Sequence, residues 1–169
     1  VMENTVKLVE LAKHGNKDAF ATLYEQFYKD LYRFALYTLK NPSDAEDVVS
    51  EAVIDAYSNI KKLRSNESFK SWIFKIVSNK CCKKIREYRR KETDIETCDL
   101  NDCFESGCEE NIVVRQLFME LAAEERLIIG LHIFAGYTSK EIAKQLKMNE
   151  NTVRSKESRA LKKLAVKMR

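Results

Sequence analysis

TSKEIAKQLKMNENTVRSKESRALKK, residues 138–163, decides how the rest of the chain is read. Ile142, Ala143 and Leu146 fall at helical spacing, Lys147-Met148-Asn149 breaks the period, and Asn149 or Asn151 is placed to cap a second helix. Two helices joined by so short a break are the grammar of a helix-turn-helix. At ~100° per residue, Val153, Ala160, Leu161, Leu164 and Met168 share one face of the second helix. Ser155, Ser158, Arg159 and Lys162 centre the other face, flanked by Arg154, Lys156 and Lys163. A helix of this kind can lie in a DNA major groove, with hydroxyl and guanidinium groups toward base edges and phosphates. The plain alternative is a solvated basic helix.

Moving back along the chain, residues 112–121 and 124–135 give two amphipathic helices that prop up the motif. Val114, Leu117 and Leu121 point inward from the first, and Leu127, Ile128 and Leu131 from the second. Gly136 is a natural C-cap, and Thr138 is a fair N-cap for the helix after it. Before them, TDIETCDLNDCFESGCEEN (93–111) holds many acids, no lysine or arginine and no helical stripe, so residues 92–111 read as a mobile acidic linker. Its cysteines, Cys98, Cys103 and Cys108, recur every five residues and lack the paired CxxC spacing of zinc sites. No metal site is expected there. The chain has five cysteines and no secretion signal, so reduced thiols are expected rather than a disulfide framework.

The amino-terminal part carries its own periodicities. A short helix over 5–13 ends at His14-Gly15, and Asn16 or Asp18 caps a longer one whose inward stripe is Phe20, Leu23, Tyr24, Phe27, Leu31, Phe34 and Ala35. Asn41-Pro42 closes that helix, and Ser43-Asp44-Ala45-Glu46 reads as a capping-box start for the next. There Ala45, Val48, Val49, Ala52, Val53, Ala56 and Ile60 face inward, which leaves Asp47, Ser50, Glu51, Ile54 and Ser58 outward. An isoleucine among acids reads either as one exposed apolar residue or as a protein-docking patch. After a polar loop, 61–68, a helix runs to about Lys91, with Phe69, Ile73, Val77, Cys81 and Ile85 inward. Trp72, Lys75, Asn79, Lys83, Arg86 and Arg90 line an adjoining stripe, a pattern suited to unstacked bases and phosphates.

The whole composition narrows the class. Four glycines, one proline and few alternating runs favour an all-α protein. The net charge of +4 hides basic clusters at 80–91 and 154–169, so a polyanionic partner contacted locally is expected. No apolar run approaches the ~20 residues of a membrane span, so no direct membrane insertion and a cytoplasmic location are expected. His14 and His132 lie far apart, and there is neither a nucleophile motif nor a glycine-rich phosphate loop; neither an enzyme nor a cofactor is expected.

DAEDVVSEAVIDAY (44–57) followed by SFKSWIFKIVSNKCCKKIREYRRK (68–91) resembles the second conserved region of bacterial sigma factors of the extracytoplasmic-function group. LAAEERLIIGLHIFAGYTSKEIAKQL (121–146) with NTVRSKESRALKKL (151–164) resembles the fourth. The resemblance implies two small helical domains, residues 1–91 and 112–169, joined by the linker at 92–111. It implies that Asp47, Ser50, Glu51 and Ile54 dock on the clamp coiled coil of core RNA polymerase. It implies that Ser65 and Asn66 of the 61–68 loop, with Trp72, Lys75, Asn79, Lys80, Lys83 and Arg86, hold the melted minus-ten element and a flipped base. Thr152, Arg154, Ser155, Lys156, Ser158, Arg159 and Lys162 would read the minus-thirty-five element. Promoter DNA and core RNA polymerase are then the partners, and an anti-sigma factor, often membrane-bound, the expected regulator.

Three positions depart from the family pattern: Lys147 stands where the turn usually has glycine, Glu157 where an apolar residue is usual, and Ala122 where proline is common. A positive φ is expected at Lys147, Asn149 or Asn151, and Glu157 must meet a cation or reach the rim. Two rival readings are a stand-alone helix-turn-helix regulator with an amino-terminal regulatory domain, and a thiol sensor built on the linker cysteines.

Overall fold

Asn16 and Asn41 set the first two long helices. The Asn16 side chain accepts from the Ala19 N–H at 3.0 Å and starts α2 (Lys17–Leu39), after α1 (Met2–Lys13) has ended at Gly15 with φ 92°. Asn41, not Ser43, caps α3 (Pro42–Asn59): its side chain accepts from the Asp44 N–H at 3.0 Å. Pro42 occupies the first helical position, where its missing N–H costs nothing, so the helix starts earlier than the capping-box reading placed it. Two 3-10 turns, Ile60–Lys62 and Asn66–Ser68, lead into α4 (Phe69–Arg90). Then come α5 (Ile112–Met119), α6 (Ala123–Ala135), α7 (Ser139–Leu146) and α8 (Glu150–Lys167). The structure is a computed structural model and describes residues 2–91 and 112–167. The linker cysteines lie outside the described residues.

The fold is all-helical across the described residues, and the inward stripes close as the periodicity requires. Val9 and Ala12 of α1, Phe20, Leu23, Leu31, Phe34 and Ala35 of α2, and Phe69, Ile73, Val77, Cys81 and Ile85 of α4 are all buried. One outward residue was misplaced by the periodicity: Leu161 is half exposed, because the buried side of α8 is narrower, centred on Val153 and Ala160.

The two helical halves do not stand apart. Leu36 of α2 is buried on a side that the inward stripe does not use, Thr38 and Leu39 continue the stripe at i+4 from Phe34 and Ala35, and α6 packs against α2. The closest approach is at Gly130 of α6, where an added Cβ would stand 2.9 Å from the Phe34 ring. Phe34 also meets Phe74 and Phe134 edge to face, with centroids at 5.6 and 6.4 Å. Arg126 of α6 is buried and donates to the Thr38 carbonyl (Nη2, 3.0 Å; Nε, 3.3 Å) and to the Leu121 carbonyl. Those carbonyls, at the negative end of α2 and in the α5–α6 turn, stand in for a carboxylate. Burial still draws the Arg126 pKa down to about 10.

Asp44 fastens α3 to α4, bonding Lys84 Nζ at 2.7 Å and accepting from the Tyr88 hydroxyl. Burial disfavours its charge, but these two donors outweigh that and hold its pKa below the usual carboxylate range. A lowered folded-state pKa means stability that is present above the unfolded value and lost as pH falls through the folded one. Asp44→Asn is expected to cost about 1–2 kcal/mol at neutral pH. Urea unfolding should show that difference shrinking as pH drops below about 4, the ordinary Asp value.

Candidate nucleic-acid and docking surfaces

The outer face of α3 is acidic around an apolar centre. Asp47, Ser50, Glu51 and Ile54 are all exposed, and Ile54, at 66%, is the most exposed large apolar side chain among the described residues. Its helical neighbours at Glu51 and Asp55 both reach Lys80 on α4, at 3.2 and 2.8 Å. Burial works against the Lys80 charge, but the two carboxylates prevail and raise its pKa. Lys80, assigned by the resemblance to DNA, is therefore engaged with the acidic face.

Beside it lies an open concavity of about 490 Å³ lined by Asp55, Asn59, Lys62, Trp72, Ile76, Asn79, Lys80 and Lys83. Trp72 is half-buried, tilted against Phe69 with centroids 6.0 Å apart, and so fixed in orientation with part of its surface open. Asn79 and Lys83 are exposed on the following turns, and Lys75 and Arg86 are exposed on the same helix. An aromatic wall, an amide and several cations around one hollow suit a nucleobase and its phosphates. Sequence reasoning missed Asp55 and Asn59 as members of this hollow, whereas Lys62 falls in the 61–68 loop that the resemblance gives to the minus-ten element. The i, i+4 spacing of Asp55 and Asn59 puts them on one side of α3, but only the α3–α4 packing brings them to Trp72. Ser65 and Asn66 are not among the residues lining it: Ser65 hydrogen-bonds the Glu67 carboxylate, and Asn66 accepts from Lys13 Nζ at 2.7 Å.

The helix-turn-helix is built as its grammar demands. Thr138 and Glu141 cap α7 reciprocally: the Thr138 hydroxyl takes the Glu141 N–H at 3.3 Å, and the Glu141 carboxylate takes the Thr138 N–H at 2.8 Å. Lys147 occupies the left-handed region at φ 54°, the conformation that glycine would adopt without a Cβ penalty, and neither Asn149 nor Asn151 has a positive φ. Asn149 instead caps α8, accepting from the Asn151 N–H at 2.8 Å. Glu157 is half-buried between α6 and α7, accepting from Ser139 Oγ at 3.0 Å with His132 Nδ1 at 3.6 Å. The Ser139 hydroxyl supplies the hydrogen bond that a half-buried carboxylate needs, while His132 Nδ1, which lies 2.9 Å from the Tyr137 carbonyl, borders its other oxygen.

Thr152, Arg154, Ser155, Ser158, Arg159 and Lys162 are exposed on α8. Ser155 and Arg159 lie along their own helix, the Ser155 hydroxyl donating to the Asn151 carbonyl at 2.7 Å and Arg159 Nε to the Ser155 carbonyl at 3.2 Å. Lys156 alone of the set turns inward, to Glu124 at 2.7 Å. Glu124 also receives Arg89 at 2.9 Å, and the Lys156 and Arg89 bonds lower its pKa against burial.

Residues 23–91 match the family description Sigma-70 region 2, and residues 112–164 match Sigma-70, region 4. The chain is 28% identical over 162 residues to the ECF RNA polymerase sigma factor SigM of Mycobacterium tuberculosis, covering 92% of this chain and 81% of that one. It is 28% identical over 157 residues to the RNA polymerase sigma factor SigV of Bacillus subtilis, covering 92% and 95%. Its fold is similar to that of the sigma factor RpoE of Bartonella quintana, solved with the anti-sigma factor NepR, at a TM-score of 0.70 and 21% identity over 88% of this chain and 96% of that one. A second fold match is CnrH, solved with the cytosolic domain of CnrY, at a TM-score of 0.65 and 22% identity over 96% of each chain. Two conserved regions in their family order, together spanning most of the sequence, place the chain in the extracytoplasmic-function group of RNA polymerase sigma factors.

Proposed function

We propose that this chain is a dissociable specificity subunit of RNA polymerase, in which Asp47, Ser50, Glu51 and Ile54 of α3 dock on the core enzyme and two separate helices read DNA. The observation that carries the reading is the side-by-side placement of two unlike surfaces on α3 and α4. An exposed isoleucine among acids stands on the outer face of α3, and the Trp72–Asn79–Lys83 hollow opens beside it, with Asp55 and Lys80 at their common border. Docking to polymerase would then hold the hollow at the point where the duplex opens. Trp72 and Asn79 would take an unstacked base of the minus-ten element, and Lys75, Lys83 and Arg86 the adjoining phosphates. Ser65 and Asn66 would act from the neighbouring loop once their intramolecular partners give way.

The outward face of α8 fits the minus-thirty-five element. Arg159, Ser155 and Ser158 stand at its centre, and Arg154, Lys162 and Thr152 at its border. The chain contributes binding and strand capture, and no catalytic step is assigned to its residues. A stand-alone regulator gains no support, because it gives no role to the region 2 match or to the acidic Ile54 face. An anti-sigma protein that covers the same surfaces belongs to this proposal as the expected antagonist, whether or not it is held at a membrane.

Two measurements test the assignment of surfaces. Ile54→Asp changes a side chain that is 66% exposed and should preserve the fold, while weakening association with core polymerase by about tenfold or more, equivalent to about 1.4 kcal/mol. Unchanged affinity in a fluorescence titration would remove α3 as the docking face. Arg159→Ala should cost holoenzyme about 1–3 kcal/mol of upstream-element binding and relax base preference there. Lys162→Ala should weaken binding evenly across sequences and reduce the log–log salt slope by about one unit.

A further inference from the structure

The hollow between α3 and α4 contains a carboxylate, which a surface built only for phosphates would exclude. Asp55 lines it together with Lys62, Lys80 and Lys83. A phosphate drawn by those cations is repelled by Asp55, whereas a neutral group that donates a hydrogen bond is attracted.

The polar groups around Asp55 are already engaged. Asn59 donates its side-chain N–H to the Asp55 backbone carbonyl at 2.9 Å and accepts from Lys62 Nζ at 2.8 Å. Lys80 Nζ stands 2.8 Å from Asp55 Oδ2 and 3.2 Å from the Glu51 carboxylate. The Lys80 pair occupies one oxygen of Asp55 and fixes the direction of the other. Asp55 is exposed, and its Oδ1 has no partner among the described residues. One acceptor is thus left open in a hollow whose wall is Trp72.

An ionised carboxylate can only accept. An unpaired base offers its Watson–Crick edge as well as its ring face. Adenine, cytosine and guanine each carry an exocyclic amine on that edge, whereas thymine has a single ring N–H between two carbonyl oxygens. Beside a carboxylate the first three gain a charge-assisted hydrogen bond, and thymine brings a carbonyl oxygen against it.

We propose that Asp55 is a specificity-determining residue of the hollow: its free oxygen accepts from the exocyclic amine of the unstacked base, so that adenine, cytosine or guanine is chosen over thymine at one minus-ten position. The inference rests on the sigma-factor reading and on the hollow as the place of the unstacked base. Lys80 is then a positioning residue, which aims Asp55 and offsets its charge toward the DNA strand.

The test uses core polymerase, the full chain and a duplex fragment from which the wild-type chain initiates, with each minus-ten base pair replaced in turn by the other three. At one non-template position thymine should initiate about five- to fiftyfold less well than the best amino-bearing base, as expected of one specific base contact. Asp55→Asn keeps the shape and supplies an amide that can donate to a thymine carbonyl. It should bring that difference within about twofold and leave base choice at the other positions as it was. Lys80→Met breaks the same ion pair but retains the acceptor, so it should lower initiation from every template and keep the discrimination. A wild-type chain that accepts thymine equally at every position overturns the proposal, as does unchanged discrimination in Asp55→Asn. Loss of discrimination in Lys80→Met as complete as in Asp55→Asn also overturns it, because the ion pair and not the acceptor would then be responsible. Trp72→Ala tests the hollow separately and should lower initiation from all templates; initiation and base choice untouched by it would place the base elsewhere. If the wild-type chain initiates from no fragment of a genomic library, the sigma-factor reading itself is what fails.

Discussion

The packing of one phenylalanine holds this molecule together. Phe34 is fully buried, stands edge to face with Phe74 of its own half and Phe134 of the other, and faces Gly130, the one position on α6 without a side chain in the way. Aromatic pairs in this geometry add directional preference to the apolar area they bury. Around that ring the end of α2 changes character: Leu36, Thr38 and Leu39 join the buried set, and Arg126 closes the free carbonyl of Thr38. A helix end that would otherwise present unsatisfied carbonyls to a dry seam is thereby satisfied by a cation from the opposite half.

That seam explains how one helix serves three purposes. α4 gives its Phe69–Ile73–Val77–Cys81–Ile85 stripe to the first core. It gives Ser78 to the contact with the second half, and leaves Trp72, Asn79 and Lys83 along an open hollow. The three stripes are about a third of a turn apart, which is what a period of ~3.6 residues allows. Cys81 belongs wholly to the packing: it is buried, and burial raises its thiol pKa, so it behaves as a small apolar residue.

Much of this was legible in the sequence because a single helix face states its own burial. The stripes of α2, α3 and α4, the Thr138 cap and the outward hydroxyls and cations of α8 follow from spacing alone. What spacing could not state was anything that depends on a second element. The apolar run FALYTL at the end of α2 is apolar on more than one side, a sign of burial all round, but nothing in it names α6 as the cover. Arg126 and Gln145 read as ordinary polar helix residues until the halves meet. Lys147 at positive φ and Asn41 as the cap of α3 turn on local choices among adjacent candidates, which propensity ranks weakly. The exposure of the α3, α4 and α8 faces was readable; which ligand each face takes is a matter for binding measurements.

The central claim is that this chain supplies promoter choice to an enzyme that lacks it. Core RNA polymerase, with and without the purified chain, transcribing a fragmented genomic library tests that claim most directly. The account requires a discrete set of start sites that appears only with the chain and shares two sequence elements at fixed separation. A start-site pattern identical with and without the chain would contradict it.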